Sequence, residues 1–550
     1  MENPSDRISV PTDRPDKKKK STASIALATF LMIVGLTLSK GTGFLRENFI
    51  MEKFGSGTKL ADAFYLGFTI PDLFFQLLVG GSIQAAITPS LARMVESGQQ
   101  RKGWKSVSTF ITLIALIMLG ITILGALLSD WFIPLIFFDK NAEVVALAAK
   151  ASKVLFPQVF FMMLAAFCIG ILNAYKKFSS TAFGPTIYNV FVVLAIVVFG
   201  GRSENGVVYA ALGITVSAGL YFLWQFYMAR GELRNYRVSL AIHDEGFKEL
   251  LHLAVPTMLS ASIVQLNTII ISAFTGKFDD GIIQSLNNSK TIWQIPYGIF
   301  AVAVGSVMLP SLAAHFAARD YKSARMLFGK SLRNALFLTI PSAGLLFALS
   351  YDVVPALFKW SDAYKTEQGQ VTSMVLMGYC IAIIAQTFVF IYNQAFYAIG
   401  NTKVPLATGA LSMVLITLFC SILKALGMLS STNSAGALWL SLTYSVTSVI
   451  SALVLFILYR KNKLLAPKNL APFLVRSAIC TAFMLLLVYT MNVLPVHPSG
   501  KIASLLWLAV KGMIGFAGYF AAAKALNMKE LTVFLDKILG KIRSKRSGRV

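Results

Sequence analysis

Residues 38–94 read LSKGTGFLRENFIMEKFGSGTKLADAFYLGFTIPDLFFQLLVGGSIQAAITPSLARM. These are two apolar segments that carry charge where lipid would forbid it. Lys40, Arg46 and Glu47 close the first segment, while Asp62 and Asp72 lie at the start of the second and inside it. An ionisable group at membrane depth costs roughly 3 kcal/mol or more unless it faces a protein interior or a wet cavity. The five charges therefore mark a functional site, and the rest of the chain must build the cavity that holds it.

The composition agrees with a membrane setting. Of 550 residues, 56% are hydrophobic and 14% charged, and the mean hydropathy is +0.67, which describes a polytopic membrane protein rather than a soluble core. A net charge of +25 would suggest nucleic acid in a soluble chain. Here the basic residues sit in short loops between apolar runs, as cytoplasmic membrane loops do, so no nucleic-acid partner is expected. Cys168, Cys380, Cys420 and Cys480 all fall in apolar runs without metal spacing and read as small buried hydrophobes. Lys17 to Lys20 before an apolar run resemble a signal sequence. No small-residue cleavage site follows, so an uncleaved first helix is expected.

Apolar runs of about 18 to 25 residues place fourteen spans near 23–48, 63–91, 106–136, 152–174, 182–200, 207–228, 249–274, 285–312, 330–350, 371–396, 404–425, 435–459, 472–493 and 502–525. With both termini cytoplasmic, the inner segments hold about 35 Lys and Arg and the outer segments and span ends about 13. The expected fold class is an all-α membrane protein with an even number of crossings, in a bacterial inner membrane. Its polar N-terminal tail, 1–21, is expected to be disordered on the cytoplasmic side, and 527–550 forms a basic cytoplasmic tail.

Two echoes suggest internal duplication. IPDLFFQLLVGGSIQAAITPSLARM in span 2 is matched by IPYGIFAVAVGSVMLPSLAAHF in span 8. Asn173, Ala174, Tyr175, Thr181 and Pro185 after span 4 are matched by Gln394, Ala395, Phe396, Thr402 and Pro405 after span 10. The shared offset of six implies two pseudo-symmetric six-helix lobes, 22–229 and 245–460, with two helices appended over 470–526. Pro71, Pro157, Pro256, Pro296 and Pro341 lie within spans and predict bent helices around a cavity.

No catalytic constellation is visible. His243, His252, His315 and His497 are scattered, and no metal, nucleotide or nucleophile motif occurs. The longest expected outer loop, Tyr351 to Gln370, is about 20 residues, too short for an enzymatic domain. An enzyme, a metal and a cofactor are therefore not expected. The polar set inside the spans is Lys40, Arg46, Glu47, Asp62, Asp72, Lys290 and Lys511, with Gln76, Gln84, Asn189, Gln265, Asn267, Gln294 and Gln386. The cations suit an anionic head group, since a guanidinium grips two phosphate oxygens and an ammonium offers a point charge. Structural alternatives stand beside this reading. Lys40 and Glu47 share a helix face and can pair, Asp62 can cap span 2, and Lys511 can snorkel to the outer interface.

Ser39-Lys40, Gly43-Phe44-Leu45-Arg46-Glu47, Phe54-Gly55-Ser56-Gly57 and Ala61-Asp62-Ala63-Phe64 resemble the opening of the MurJ (MviN) family, lipid II flippases of the multidrug/oligosaccharidyl-lipid/polysaccharide exporter superfamily. Ile70-Pro71-Asp72-Leu73, Pro89, Leu309-Pro310-Ser311-Leu312 and Asn173 to Pro185 are similar to it as well. The resemblance implies two lobes in a V around a cationic cavity, a groove at spans 13 and 14 for the polyprenyl tail, and alternating access. Arg46 and Asp62 match family residues, and Lys40 stands where the family usually has arginine. Phe75 and Thr291 replace family arginines, Gly80 replaces an acidic residue, and Lys290 lies one position from the span 8 arginine. Beyond Glu249 at the edge of span 7, spans 7 and 11 offer no carboxylate for a coupling cation.

The expected activity is outward flipping of a polyprenyl-diphosphate-linked saccharide, most simply the peptidoglycan precursor lipid II. Arg46 and Lys40 would contact the diphosphate, Lys290 would assist from the opposite lobe, Asp62 would hold one conformational state, and Lys511 would lie near the tail groove. Partners are the lipid-linked saccharide diphosphate, membrane lipids and cell-wall synthesis proteins. The rivals are another lipid-linked polysaccharide or teichoic-acid precursor as cargo, a drug/cation antiporter built on Asp62 and Asp72, and a non-transporting scaffold of a wall-synthesis complex.

Overall fold

A computed structural model describes residues 34–35, 38–78, 82–360, 364–432, 435–461, 470–494 and 500–532. Among them the regular structure is helical, with no strand. The helices are α1 (38–54), α2 (Lys59–Leu78), α3 (Ser82–Glu96), α4 (Gln100–Ile136), α5 (Ala142–Ala174), α6 (Phe178–Phe199), α7 (Glu204–Leu233), α8 (Glu245–Ala273), α9 (Ile282–Pro296), α10 (Ala303–Ala317), α11 (Tyr321–Ala348), α12 (Ser350–Phe358), α13 (Thr366–Ala398), α14 (Lys403–Ala425), α15 (Gly436–Lys461), α16 (Leu470–Val493) and α17 (Lys501–Ala525). The expected tail over 1–21, residues 533–550 of the expected tail over 527–550, and Gly80 lie outside the described residues.

Eleven of the fourteen expected spans are helices long and apolar enough to cross a membrane. The other three fall on α1, on α2 with α3, and on α8. Bands of large apolar side chains face outward, as Leu116, Leu119, Ile123, Leu124, Leu127 and Trp131 do on α4. In water such a surface would aggregate, whereas in a bilayer it is the lipid face. At about 1.5 Å per residue, α4 is about 55 Å long and exceeds the roughly 30 Å hydrocarbon core.

Several helices begin earlier than hydropathy suggests because polar caps start them outside the apolar run. Asn141 accepts from the Glu143 N–H to open α5, Ser203 from Gly206 to open α7, and Asp320 from Ser323 to open α11. The expected loop from Tyr351 to Gln370 is also largely helical, since α12 fills 350–358 and α13 starts at Thr366.

Two sets of helices pack around two central members. α5 contacts α2, α3, α4, α6 and α7, and α13 contacts α9, α10, α11, α12, α14 and α15. Small residues allow the closest approaches: Ser445 Oγ donates to the Gly378 carbonyl at 2.5 Å and accepts from the Ala382 N–H at 3.0 Å. The helix of span 8 changes to π geometry over Tyr297–Val302, directly after Pro296, where the missing N–H frees a carbonyl and the winding loosens. Its sequence counterpart in span 2 carries Pro71. α16 and α17 pack on each other and reach the second set through α11 and α12.

Candidate functional site

A cavity of about 540 Å³ lies between the two sets. From the first set it is lined by Ser39, Arg46, Glu47, Tyr65, Asp72, Phe75, Gln76, Gln158, Tyr188, Asn189 and Tyr221, and from the second by Gln265, Thr268, Asn287, Lys290, Thr291 and Gln294. Four of the expected charged residues, Arg46, Glu47, Asp72 and Lys290, thus meet in one place. Gln76, Asn189, Gln265 and Gln294 join them, whereas Asn267 is bonded to Ser412 at 3.1 Å and Gln386 to Ser448 at 2.9 Å, both away from the lining. The side chain of Gln84 is not among those described.

The charges pair differently from the sequence expectation. Arg46 Nη2 and Nε donate to Glu47 Oε1 at 2.7 and 3.2 Å, and Tyr65 Oη donates to Glu47 Oε2 at 2.6 Å. Lys40, which shares a helix face with Glu47, is exposed and outside the cavity lining. The long guanidinium stem folds back onto its own neighbour, so rotation off the shared face does not keep Arg46 and Glu47 apart. Two of its five N–H groups are thereby used, and Arg46 lines the cavity with three left over. Across the space, Lys290 Nζ donates to Thr268 Oγ1 at 3.2 Å, and Asp72 lies in the field of both Lys290 and Arg46.

The lining therefore carries two cations and two carboxylates, and is balanced rather than cationic. The cause is visible in the wall: Phe75 and Thr291, where the resemblance leads one to expect arginine, both face this cavity. Thr291 turns its hydroxyl to the Asn287 carbonyl of its own helix at 3.0 Å.

One end of the cavity is sealed by contacts between the sets. The Gly57 N–H donates to Gln284 Oε1 at 2.9 Å, and the Gln284 N–H donates to Asp62 Oδ1 at 3.1 Å. Asp62 does not cap its own helix, a task taken by Thr58, which accepts from the Ala61 N–H. Instead its carboxylate sits at the N-terminus of α9, where the free N–H groups and the helix dipole favour an anion. Asp62 and its ion-pair partner Lys140, 3.4 Å away, are both buried. Gly281, at φ +95°, presses so close that a Cβ there would lie 2.4 Å from the Gly57 Cα. Asn48 Nδ2 bonds to the Leu357 carbonyl at 3.2 Å, and Lys424 pairs with Asp139 nearby.

At the opposite, basic end the first turns of α8 lie on α3 and α4. Arg93 pairs with Glu249 at 2.6 Å, and Ser106 Oγ donates to Asp244 Oδ2 at 2.6 Å while Asp244 caps α8 through the Phe247 N–H. The Ser106 hydroxyl, followed by the Phe247 N–H and Lys105, holds the Asp244 carboxyl below its usual range. Since the folded value is depressed, the contribution is present above the free value of about 3.9 and is lost as pH falls through the folded value. Amide-exchange protection in the first two turns of α8 is expected to hold at pH 7 and to fall below about pH 4. Asp244→Ala should cost about 1 kcal/mol of that protection already at neutral pH. Protection unchanged by the substitution would remove this role.

Lys511 lies apart from the cavity. It is buried in α17 and pairs with Asp352 of α12 at 2.9 Å, rather than reaching along its stem to the interface. Sequence reading missed Tyr65, Gln158, Tyr188 and Tyr221, although Gln158 inside an apolar run was a usable signal. The four cysteines are all buried. Among the described residues no group of His, Cys, Asp and Glu is arranged to hold a metal.

The family model for the lipid II flippase MurJ matches residues 50–510. The chain belongs to the MurJ family. A probable lipid II flippase MurJ of Rhizobium tropici is 29% identical over 456 residues, covering 80% of this chain and 82% of that one. The lipid II flippase MurJ of Burkholderia cenocepacia is 26% identical over 444 residues, covering 80% and 84%. Among solved structures, an inward closed conformation of a lipid II flippase MurJ superposes with a TM-score of 0.73 at 20% identity, over 90% of this chain and 98% of that one. An inward-facing multidrug resistance MATE transporter of the MOP superfamily gives 0.62 at 16% identity, over 78% and 98%. The fold is thus that of MurJ and its MOP relatives, in a multi-pass membrane protein.

Proposed function

We infer that this MurJ-family chain flips lipid II, the polyprenyl-diphosphate-linked peptidoglycan precursor, from the inner to the outer leaflet of a bacterial inner membrane. The observation that carries the reading is the polar cavity between the two helix sets, which brings Arg46 from one and Lys290 from the other to a common space. A diphosphate there can take the guanidinium from Glu47, whose carboxylate holds it through two hydrogen bonds. Oxygens of the diphosphate then face Arg46 and Lys290 together. Asp72 and the Gln and Asn side chains are left for hydroxyls and amides of the saccharide and peptide. Lys40, being exposed, is not assigned a part in this grip.

Placing the basic end in the cytoplasm follows the distribution of Lys and Arg and puts both termini there. The Gly57, Asp62 and Gln284 contacts then close the outer side, and cargo enters once α8 parts from α3 and α4. Release outward requires Asp62 to leave the N-terminus of α9. Each closure is a small set of contacts, so binding and release need only trade one set for the other.

Purified protein in vesicles loaded with fluorescent lipid II on one leaflet should bring probe to the other leaflet faster than protein-free vesicles. A polyprenyl-linked teichoic-acid precursor and a lipophilic cation serve as competing cargoes. Movement of either in place of lipid II, or no movement of any, would contradict the inference and leave the rival cargo or a scaffold role.

A further inference from the structure

A second pocket, of about 840 Å³, opens at the Gly57 end between α12, α16 and α17. Its charged lining is Lys359, Lys501 and Lys511 against one carboxylate, Asp352. The excess of two positive charges contrasts with the balanced central cavity. Concave, partly desolvated walls concentrate that field and draw anions.

The pocket is graded along its depth. Lys511, buried and paired with Asp352, marks the floor beside the Trp507 ring, 6.0 Å from its Nζ. Lys501, ten residues earlier on α17 and so about 15 Å nearer the mouth, donates to the Trp360 carbonyl and lies 5.5 Å from the Trp360 ring. Lys359 is exposed beside it and has no ion-pair partner among the described residues. Lysine with tryptophan marks the head-group level of a bilayer. Snorkelling alone would spread such lysines around the rim, whereas these three converge on one concave wall with apolar sides from Pro355, Met491, Leu494 and Leu508.

We propose that this pocket binds the phosphate head group of an anionic lipid, with Lys359 and Lys501 on the phosphate and the first carbons of the lipid against α16 and α17. The site does not depend on the cargo of the central cavity. The phosphate can come from a bilayer phospholipid or from a polyprenyl phosphate, and the two are told apart by offering each alone.

Native mass spectrometry of the full chain in detergent, titrated with phosphatidylglycerol, undecaprenyl phosphate or phosphatidylcholine, tests it. One of the two anionic lipids, or both, should be retained where phosphatidylcholine is not. Lys359→Gln with Lys501→Gln should weaken retention at least about tenfold, in line with roughly 1 kcal/mol for each lysine near a charged lipid. Both lysines are exposed, and an unchanged thermal midpoint of the double variant in detergent checks that losing the Lys501 bond to the Trp360 carbonyl leaves the fold intact. Arg46→Ala should leave retention unchanged, which separates this pocket from the central cavity. Lys511→Gln is made together with Asp352→Asn so that no buried carboxylate is stranded, and should weaken retention less. Equal retention of phosphatidylcholine, or anionic-lipid retention indifferent to Lys359 and Lys501, would overturn the proposal.

Discussion

Arg46→Ala is expected to slow lipid II flipping by at least about 30-fold, because truncating one member of a hydrogen-bonded charge pair and leaving its buried partner unpaired costs roughly 2–5 kcal/mol. The loss has two sources that can be separated. The variant removes the N–H groups that Glu47 does not use, and it also strands Glu47, whose side chain is 4% exposed. Glu47→Gln in the same chain removes the stranded charge, so the double variant should regain thermal stability in detergent while flipping stays lost. Arg46→Lys, which keeps the charge but not the fork, should fall between wild type and alanine. If flipping recovers in the double variant, Arg46 serves only to neutralise Glu47 and the cargo grip lies elsewhere.

Lys140→Ala should destabilise the seal at the Gly57 end by about 3–5 kcal/mol, the usual cost of leaving a buried charge without its partner. Asp62 would keep only the N–H groups at the start of α9. Adding Asp62→Asn removes the unpaired charge yet keeps an oxygen for the Gln284 N–H, so much of the loss should be restored. The conformational consequence can be read with a cysteine in place of Ser56, a residue that is 1% exposed in the sealed state. Labelling by a membrane-impermeant maleimide should be slow in an otherwise wild-type chain and clearly faster with Lys140→Ala. The buried native cysteines keep the background low. Unchanged labelling would mean that the Asp62–Lys140 pair does not hold this end closed.

Much of the architecture was legible because lipid allows few solutions. Apolar runs had to be helices, and Pro296, one of the prolines expected to bend a span, is followed directly by the π-wound turn. Helix starts fall ahead of the expected ones where a polar cap such as Asn141 opens the helix before its apolar run, and α12 was hidden because nine residues are too few to show as a span. The candidate site was legible in its membership more than in its pairing. Charge inside an apolar run singled out Arg46, Glu47, Asp72 and Lys290, which do meet. Helical spacing favoured Lys40 as the partner of Glu47, but side-chain reach decided for Arg46. A local cap stood beside a conformational role for Asp62 because its partners, the Gln284 N–H and Lys140, lie 222 and 78 positions away and only the fold brings them together.

Photocross-linking tests the central claim most directly. A benzophenone side chain placed at Phe75 or Gln294, which line the cavity, and at Leu124 or Val414, which face outward, would be irradiated with lipid II bearing a labelled saccharide. Capture of the saccharide at the two cavity positions, competed by unlabelled lipid II and absent from the two outward ones, is the predicted result. Equal capture at all four, or capture only at Leu124 and Val414, would show that the head group does not pass between the two helix sets.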